Sequence, residues 1–191
     1  MENGKRRWLP GMDRTVDGLL LPGHHAKAFT PNCFLPHTWN IEWADFTING
    51  MSVGEIGIEA CYAGHWDVPL LFVHGDEAAC YEARTQFPWI VTTAVKRGTT
   101  ESCTGLQPEE AHRATAKGIA EAIEGLRAGR MKPYKPKLPM TITLRFRTMD
   151  DAAKAGQRPG VRRLDDHLVE ARVGSQAEVV KWLIGTGLDM A

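Results

Sequence analysis

Val68-Pro-Leu-Leu-Phe-Val-His-Gly-Asp-Glu77 is the stretch on which the fold turns. Residues 68–73 are almost wholly apolar, which fits a strand buried on both faces, because a strand with one wet face would alternate instead. Gly75-Asp76-Glu77 closes the run, and the polar segment Ala78–Gln86 behind it predicts a helix. Upstream, Asp17-Gly-Leu-Leu-Leu-Pro-Gly23 is a second buried run ended by a turn, with His24 and His25 just past it. Between the two, Val53–Gly64 places Val53, Ile56, Ile58, Ala60 and Ala63 at helical spacing, with Gly64 as its expected C-cap. Downstream, Trp89–Lys96 predicts a further strand. Pro108-Glu-Glu opens a long helix to about Ala128, with a proline and two acids in its first turn. Strand and helix in alternation predict an α/β fold, a three-layer arrangement with helices on both faces of the sheet, over residues 1–130.

Met131-Lys-Pro-Tyr-Lys-Pro-Lys-Leu-Pro139 is basic and proline-rich, stiff and unable to enter a sheet centre, so it predicts a connector. Beyond it, 140–191 reads as a small α+β unit: strand Thr141–Arg147, helix Met149–Gly156, strand His167–Val173 and helix Ser175–Gly185. Few apolar contacts are expected across the connector.

Composition narrows the classes of function. Apolar residues at 43% and charged residues at 24% suffice for a packed core and disfavour disorder. Lys plus Arg and Asp plus Glu balance at 23 each, leaving no long-range field to recruit a nucleic acid or an anionic membrane. No apolar run approaches the roughly 20 residues that cross a bilayer, and no apolar segment follows the charged opening residues, so a cytoplasmic protein is expected. Cys33, Cys61, Cys80 and Cys103 form no Cys-x-x-Cys pair and are expected to be reduced thiols.

Potential metal ligands crowd into 23–55: His24, His25, His37, Glu42, Asp45 and Glu55. Imidazole with carboxylate suits zinc, whose bound water can be acidic enough to attack a carbonyl at neutral pH. The spacings match no standard zinc motif, so the residues alone leave two readings open, a metallohydrolase centre or hydrogen-bonded surface histidines. Asp76 reads as a helix cap, and Lys96 as either a substrate-orienting cation or a solvated lysine.

Four motifs in order carry a resemblance: Gly23-His-His-Ala-Lys-Ala, Leu35-Pro-His-Thr, Ile48-Asn-Gly-Met-Ser-Val-Gly-Glu-Ile-Gly, and Val68-Pro-Leu-Leu-Phe-Val-His-Gly-Asp-Glu. Over Leu9 to about Glu124 the chain resembles zinc-dependent D-aminopeptidases of the DppA-like family. The resemblance implies that His25 and Glu55 are metal ligands in a two-zinc site and that His37 is the catalytic residue. It also implies short D-amino-acid peptides as substrates and a ring-shaped homo-oligomer. Members of that family carry further ligands on an Asp-x-Glu strand and an Asp-Ser-His loop that have no match here. The chain is therefore expected to be N-terminally truncated relative to them, to leave the edge of Val16–Leu21 uncovered, and to hold metal weakly. The alternative is a non-catalytic remnant or an oligomer-forming fragment of such an enzyme.

Overall fold

The computed structural model describes residues 8–99 and 101–184. Its first half runs β1 (Leu19–His24), β2 (Trp43–Ile48), β3 (Met51–Ser52), α1 (Glu55–His65), β4 (Leu70–Asp76), α2 (Glu77–Gln86) and β5 (Val91–Gly98). The remainder is β6 (Cys103–Gly105), α3 (Pro108–Arg127), β7 (Met140–Phe146), α4 (Met149–Gly156), β8 (Val161–Arg163), β9 (Leu168–Val173) and α5 (Gln176–Ile184). The final glycine of the expected helix Ser175–Gly185 lies outside the described residues.

One sheet has the order β1-β4-β5-β6, with β1, β4 and β5 parallel and β6 antiparallel. Each parallel step moves the same way along the sheet, so right-handed crossovers put α1 and α2 on one face. Helix α3 packs on β4 and β5 through a separate small cluster of Leu71, Phe72, Ala122 and Met131. The α/β architecture expected from the alternation is the one observed. Among the described residues β1 is an edge strand, paired only with β4.

Helix α1 is buried nearly all round, from Ile56 to Gly64, and packs on β1, β4, α2 and α5. Its C-cap is Trp66 rather than Gly64. Gly64 is required for another reason: a Cβ there would stand 2.1 Å from the Tyr134 carbonyl oxygen. The segment after α3 is thus pressed onto α1, where Tyr134 also meets Phe87 edge-on at 5.2 Å.

A second sheet, order β3-β2-β7-β9-β8, was only half foreseen. β7 and β9 alternate cleanly, with Met140, Ile142 and Leu144 opposite Val173, Ala171 and Val169 on the buried face. β2 joins them from the far side of the connector, pairing Phe46 with Leu144 and Ile48 with Ile142. This corrects the expectation of few apolar contacts across 131–139. One core runs from Ile56 and Val73 through Phe46 to Ile142 and Val180. The prolines keep the connector irregular, but β2–β7 pairing builds the 140–184 strands into the same core. The sequence did hold a signal for β2: Asn49-Gly50, both at positive φ, turns the chain directly into β3 and is a strong hairpin dipeptide.

Candidate metal centre

The site forms at the C-terminal ends of the parallel strands, where α/β folds gather their functional loops. His24 ends β1 and His25 follows it. Gly75 of β4 lies against them so closely that a Cβ would stand 2.3 Å from the His24 carbonyl oxygen. Glu55 opens α1, and Glu59 lies one turn later on the same face of the helix.

Residues 26–38 then double back. Phe29, Asn32 and Leu35 all have positive φ, conformations that non-glycine residues adopt at a cost, so the surroundings must hold them. They are held by specific bonds. The His37 amide donates to the Ala26 carbonyl at 3.3 Å, and the Ala28 amide donates to the buried Thr38 hydroxyl at 3.1 Å. The Phe34 amide donates to Asp76 at 3.2 Å. Asp76 therefore does two things: it caps α2 by accepting from the Ala78 amide at 2.9 Å, as expected, and it anchors this loop.

The loop delivers His37 onto His25, with ring centroids 3.7 Å apart and planes 17° from parallel. His25, His37 and Glu55 each offer a ligand atom, and these lie within 4.8 Å of one another. His25 Nε2 is 3.5 Å from Glu55 Oε2. Backbone carbonyls orient both rings: Nδ1 of His25 faces the Ala26 oxygen at 3.1 Å, and Nδ1 of His37 faces the Leu35 oxygen at 2.8 Å. With Nδ1–H donating there, Nε2 of each ring keeps its lone pair for a metal or a proton. Burial, with help from the neighbouring His37 and His24, holds His25 below the ordinary histidine range against the pull of the Ala26 carbonyl and Glu55. The neutral ligand form is favoured.

Glu55 Oε2 is buried and makes no hydrogen bond within the protein. An orphaned carboxylate oxygen beside the free nitrogen of an imidazole is the donor set that zinc takes, so the residues fit the ion.

His24 does not join this trio. Its Nε2 meets Glu59 Oε2 at 3.2 Å, with the rings of His24 and His25 5.5 Å apart. Burial opposes its charging, but the hydrogen bond and charge of Glu59 outweigh it and raise its pKa. Glu59 was absent from the sequence reading, although its four-residue spacing from Glu55, opposite a His-His pair, was the available signal. Glu42 and Asp45 are not brought to the trio either. Glu42 lies beside Trp39, Asn40 and Trp43 at a separate cavity, and Asp45 accepts from the Ser52 hydroxyl, which in turn accepts from Lys27 Nζ. Lys96 pairs with Asp76 across the ladder and sits 5.9 Å over the Phe34 ring. Cys33, Cys61 and Cys80 are buried, their thiols pushed up by burial to about 11, 12 and 11, so they stay protonated.

A cavity of about 620 Å³ adjoins these segments, walled by Phe29, Ala44, Met51, Ala78 and Tyr81, with Lys27, Asp45 and Glu82 as its charged groups. No helix among the described residues is long and apolar enough to cross a membrane.

The sequence model of the D-aminopeptidase family, peptidase family M55, matches residues 4–184. A D-aminopeptidase of Bacillus subtilis (strain 168) is 34% identical over 151 residues, which are 78% of this chain and 54% of that protein. A solved structure, described as the Zn-dependent D-aminopeptidase DppA from Bacillus subtilis, a self-compartmentalizing protease, is similar with a TM-score of 0.86 at 30% identity. That similarity covers 91% of this chain and 63% of the solved one. The chain spans about half the length of the curated relative it matches.

Proposed function

The chain belongs to the D-aminopeptidase family M55, and from that membership we propose that it serves zinc-dependent removal of the N-terminal residue from short D-amino-acid peptides. The observation that carries this reading is the meeting of His25, His37 and Glu55 around the orphaned Glu55 Oε2. His25 Nε2 and Glu55 Oε2 are the ligands. Zinc, when bound there, supplies a Lewis acid that polarises the scissile carbonyl and acidifies water. His37 stands beside the ligands with Nε2 free, and takes up or delivers the proton of the reacting groups, or attacks as a nucleophile. The Leu35 carbonyl keeps its Nδ1 protonated and its ring in place. The cavity beside Lys27 receives the apolar side chain of the substrate, since its walls are aromatic and aliphatic and its few charged groups lie together.

The solved relative is a self-compartmentalizing protease. We extend its zinc dependence to two ions in the complete site, its assembly to a homo-oligomeric ring, and its setting to the cytoplasm. A second reading, a non-catalytic or oligomer-forming chain, is favoured by ligand number: a catalytic zinc normally takes three protein ligands, and His25 and Glu55 are two. Zinc titration followed by a D-Ala-D-Ala cleavage assay, with and without chelator, separates them. Chelator-sensitive turnover supports the peptidase; a well-folded oligomer that neither binds zinc nor cleaves the peptide supports the second reading.

A further inference from the structure

We propose that Glu82 of α2 is a positioning residue for the metal centre, its single carboxylate fixing the spacing between the segments that carry His25 and Glu55; this rests on the zinc reading above. Glu82 Oε2 accepts from the Lys27 amide at 2.8 Å, two residues after His25. Glu82 Oε1 accepts from the Gly54 amide at 3.1 Å, one residue before Glu55.

Glu82 is 7% exposed and, with Asp76, one of two buried acids among the described residues. Burying a carboxylate is expensive unless its oxygens are matched, so its presence in the middle of a helix calls for a reason. Packing gives none. The buried neighbours on α2 are the small Ala79, Cys80 and Ala83, and an apolar side chain would fill the position more cheaply. The amides give one. Gly54 is the N-cap of α1 and has no side chain to cap with, so α1 begins without a local cap. The Lys27 amide lies at the bend where the chain leaves β1. One rigid group that accepts from both converts two separate backbone segments into a frame, and the ligand atoms at 3.5 Å from each other sit within two residues of its ends. Supporting groups of this kind typically set about 10–100-fold of metal affinity.

Glu82→Gln has nearly the same shape but keeps one acceptor oxygen and turns the other into an NH2 facing an amide N–H, so one segment is released. Glu82→Asp keeps both oxygens but is one methylene too short to reach both segments. Ala83→Gly, on the same helix, weakens α2 without touching either amide. Zinc affinity of the full chain is measured by competition with a fluorescent chelator, alongside Tm and backbone amide exchange by NMR. Glu82→Gln is expected to weaken zinc binding about 10–100-fold and to speed exchange at Lys27 or Gly54, with Glu82→Asp showing a smaller loss. Ala83→Gly is expected to lower Tm with zinc affinity unchanged within about twofold. Wild-type zinc affinity in folded Glu82→Gln or Glu82→Asp would overturn the positioning role while leaving the metal centre intact. A loss of affinity in Ala83→Gly equal to that in Glu82→Gln would reduce Glu82 to general stability. A wild-type chain that binds no zinc would remove the metal reading, and this inference with it.

Discussion

The rings of His25 and His37 stack 3.7 Å apart although eleven residues separate them along the chain, and each is held by a backbone carbonyl at Nδ1. The stack puts two chemically similar nitrogens beside one carboxylate, and the roles proposed for them differ. His25→Ala and Glu55→Gln should each weaken zinc binding by 10-fold or more, because each removes a direct ligand. His37→Ala should change zinc affinity less than about threefold yet lower kcat about 10²–10⁴-fold, the usual worth of a positioned proton-transfer group. Zinc titration and steady-state kinetics on the same preparations check this; equal loss of zinc in all three variants would make His37 a ligand instead.

Gly64 faces the Tyr134 carbonyl. In a free helix interior Gly→Ala stabilises by about 1 kcal/mol. Here the added methyl meets backbone that cannot rotate away, so Gly64→Ala should destabilise by about 1–3 kcal/mol, as overpacking does. In a protein of this size that lowers Tm by about 2–4 °C per kcal/mol, readable by calorimetry. A rise in Tm would mean that the 131–139 segment does not press on α1.

His74 accepts a hydrogen bond at Nδ1 from the Gly23 amide at 3.1 Å, and burial first, then the charge of Lys96, hold its pKa below the ordinary value of 6.5. A depressed folded pKa means the folded state disfavours the proton. The contribution is present above pH 6.5 and is lost as the pH falls through the folded value. His24 has the opposite sign, since Glu59 raises it, so the wild-type profile is a sum. The stability difference between wild type and His74→Asn isolates the His74 part: it should shrink as the pH is lowered from 7 to 5. Chemical denaturation across that range measures it.

The cavity by α2 gives a specificity prediction. Ala44→Trp, on its β2 wall, should raise KM for a peptide with a bulky apolar N-terminal residue by 10-fold or more, with kcat and zinc affinity little altered. A fall in kcat at constant KM would place the side-chain pocket elsewhere.

How far the residue pattern reaches differs from element to element. The apolar run before Asp76 was enough for a parallel strand, because β4 is buried on both faces; the run before His24 was not, since β1 at the sheet edge alternates, with Leu19 and Leu21 buried and Leu20 exposed. The proline and acids at 108–110 fixed the start of α3 to the residue. Local periodicity does not mark β2, because Trp43-Ala-Asp-Phe-Thr-Ile does not alternate cleanly, its ladder being irregular between Trp43 and Asp45. Its partner β7 lies some hundred residues away, beyond the range of local patterns.

The sequence by itself determined the α/β class, the helix cap at Asp76, the helix start at Pro108, and the set of imidazoles and carboxylates available for chemistry, since these follow from burial periodicity, local hydrogen bonding and residue type. Only the tertiary structure decided which of those groups meet. His37 reaches His25 through left-handed turns at Phe29, Asn32 and Leu35, where no glycine announces them. Glu59 rather than Glu55 takes His24, because adjacent residues leaving a strand aim at successive turns of α1. The segments on either side of the connector at 131–139 share one sheet because Phe46 and Ile48 of β2 pair with Leu144 and Ile142 of β7, and a pairing of that range is set by the whole chain's packing.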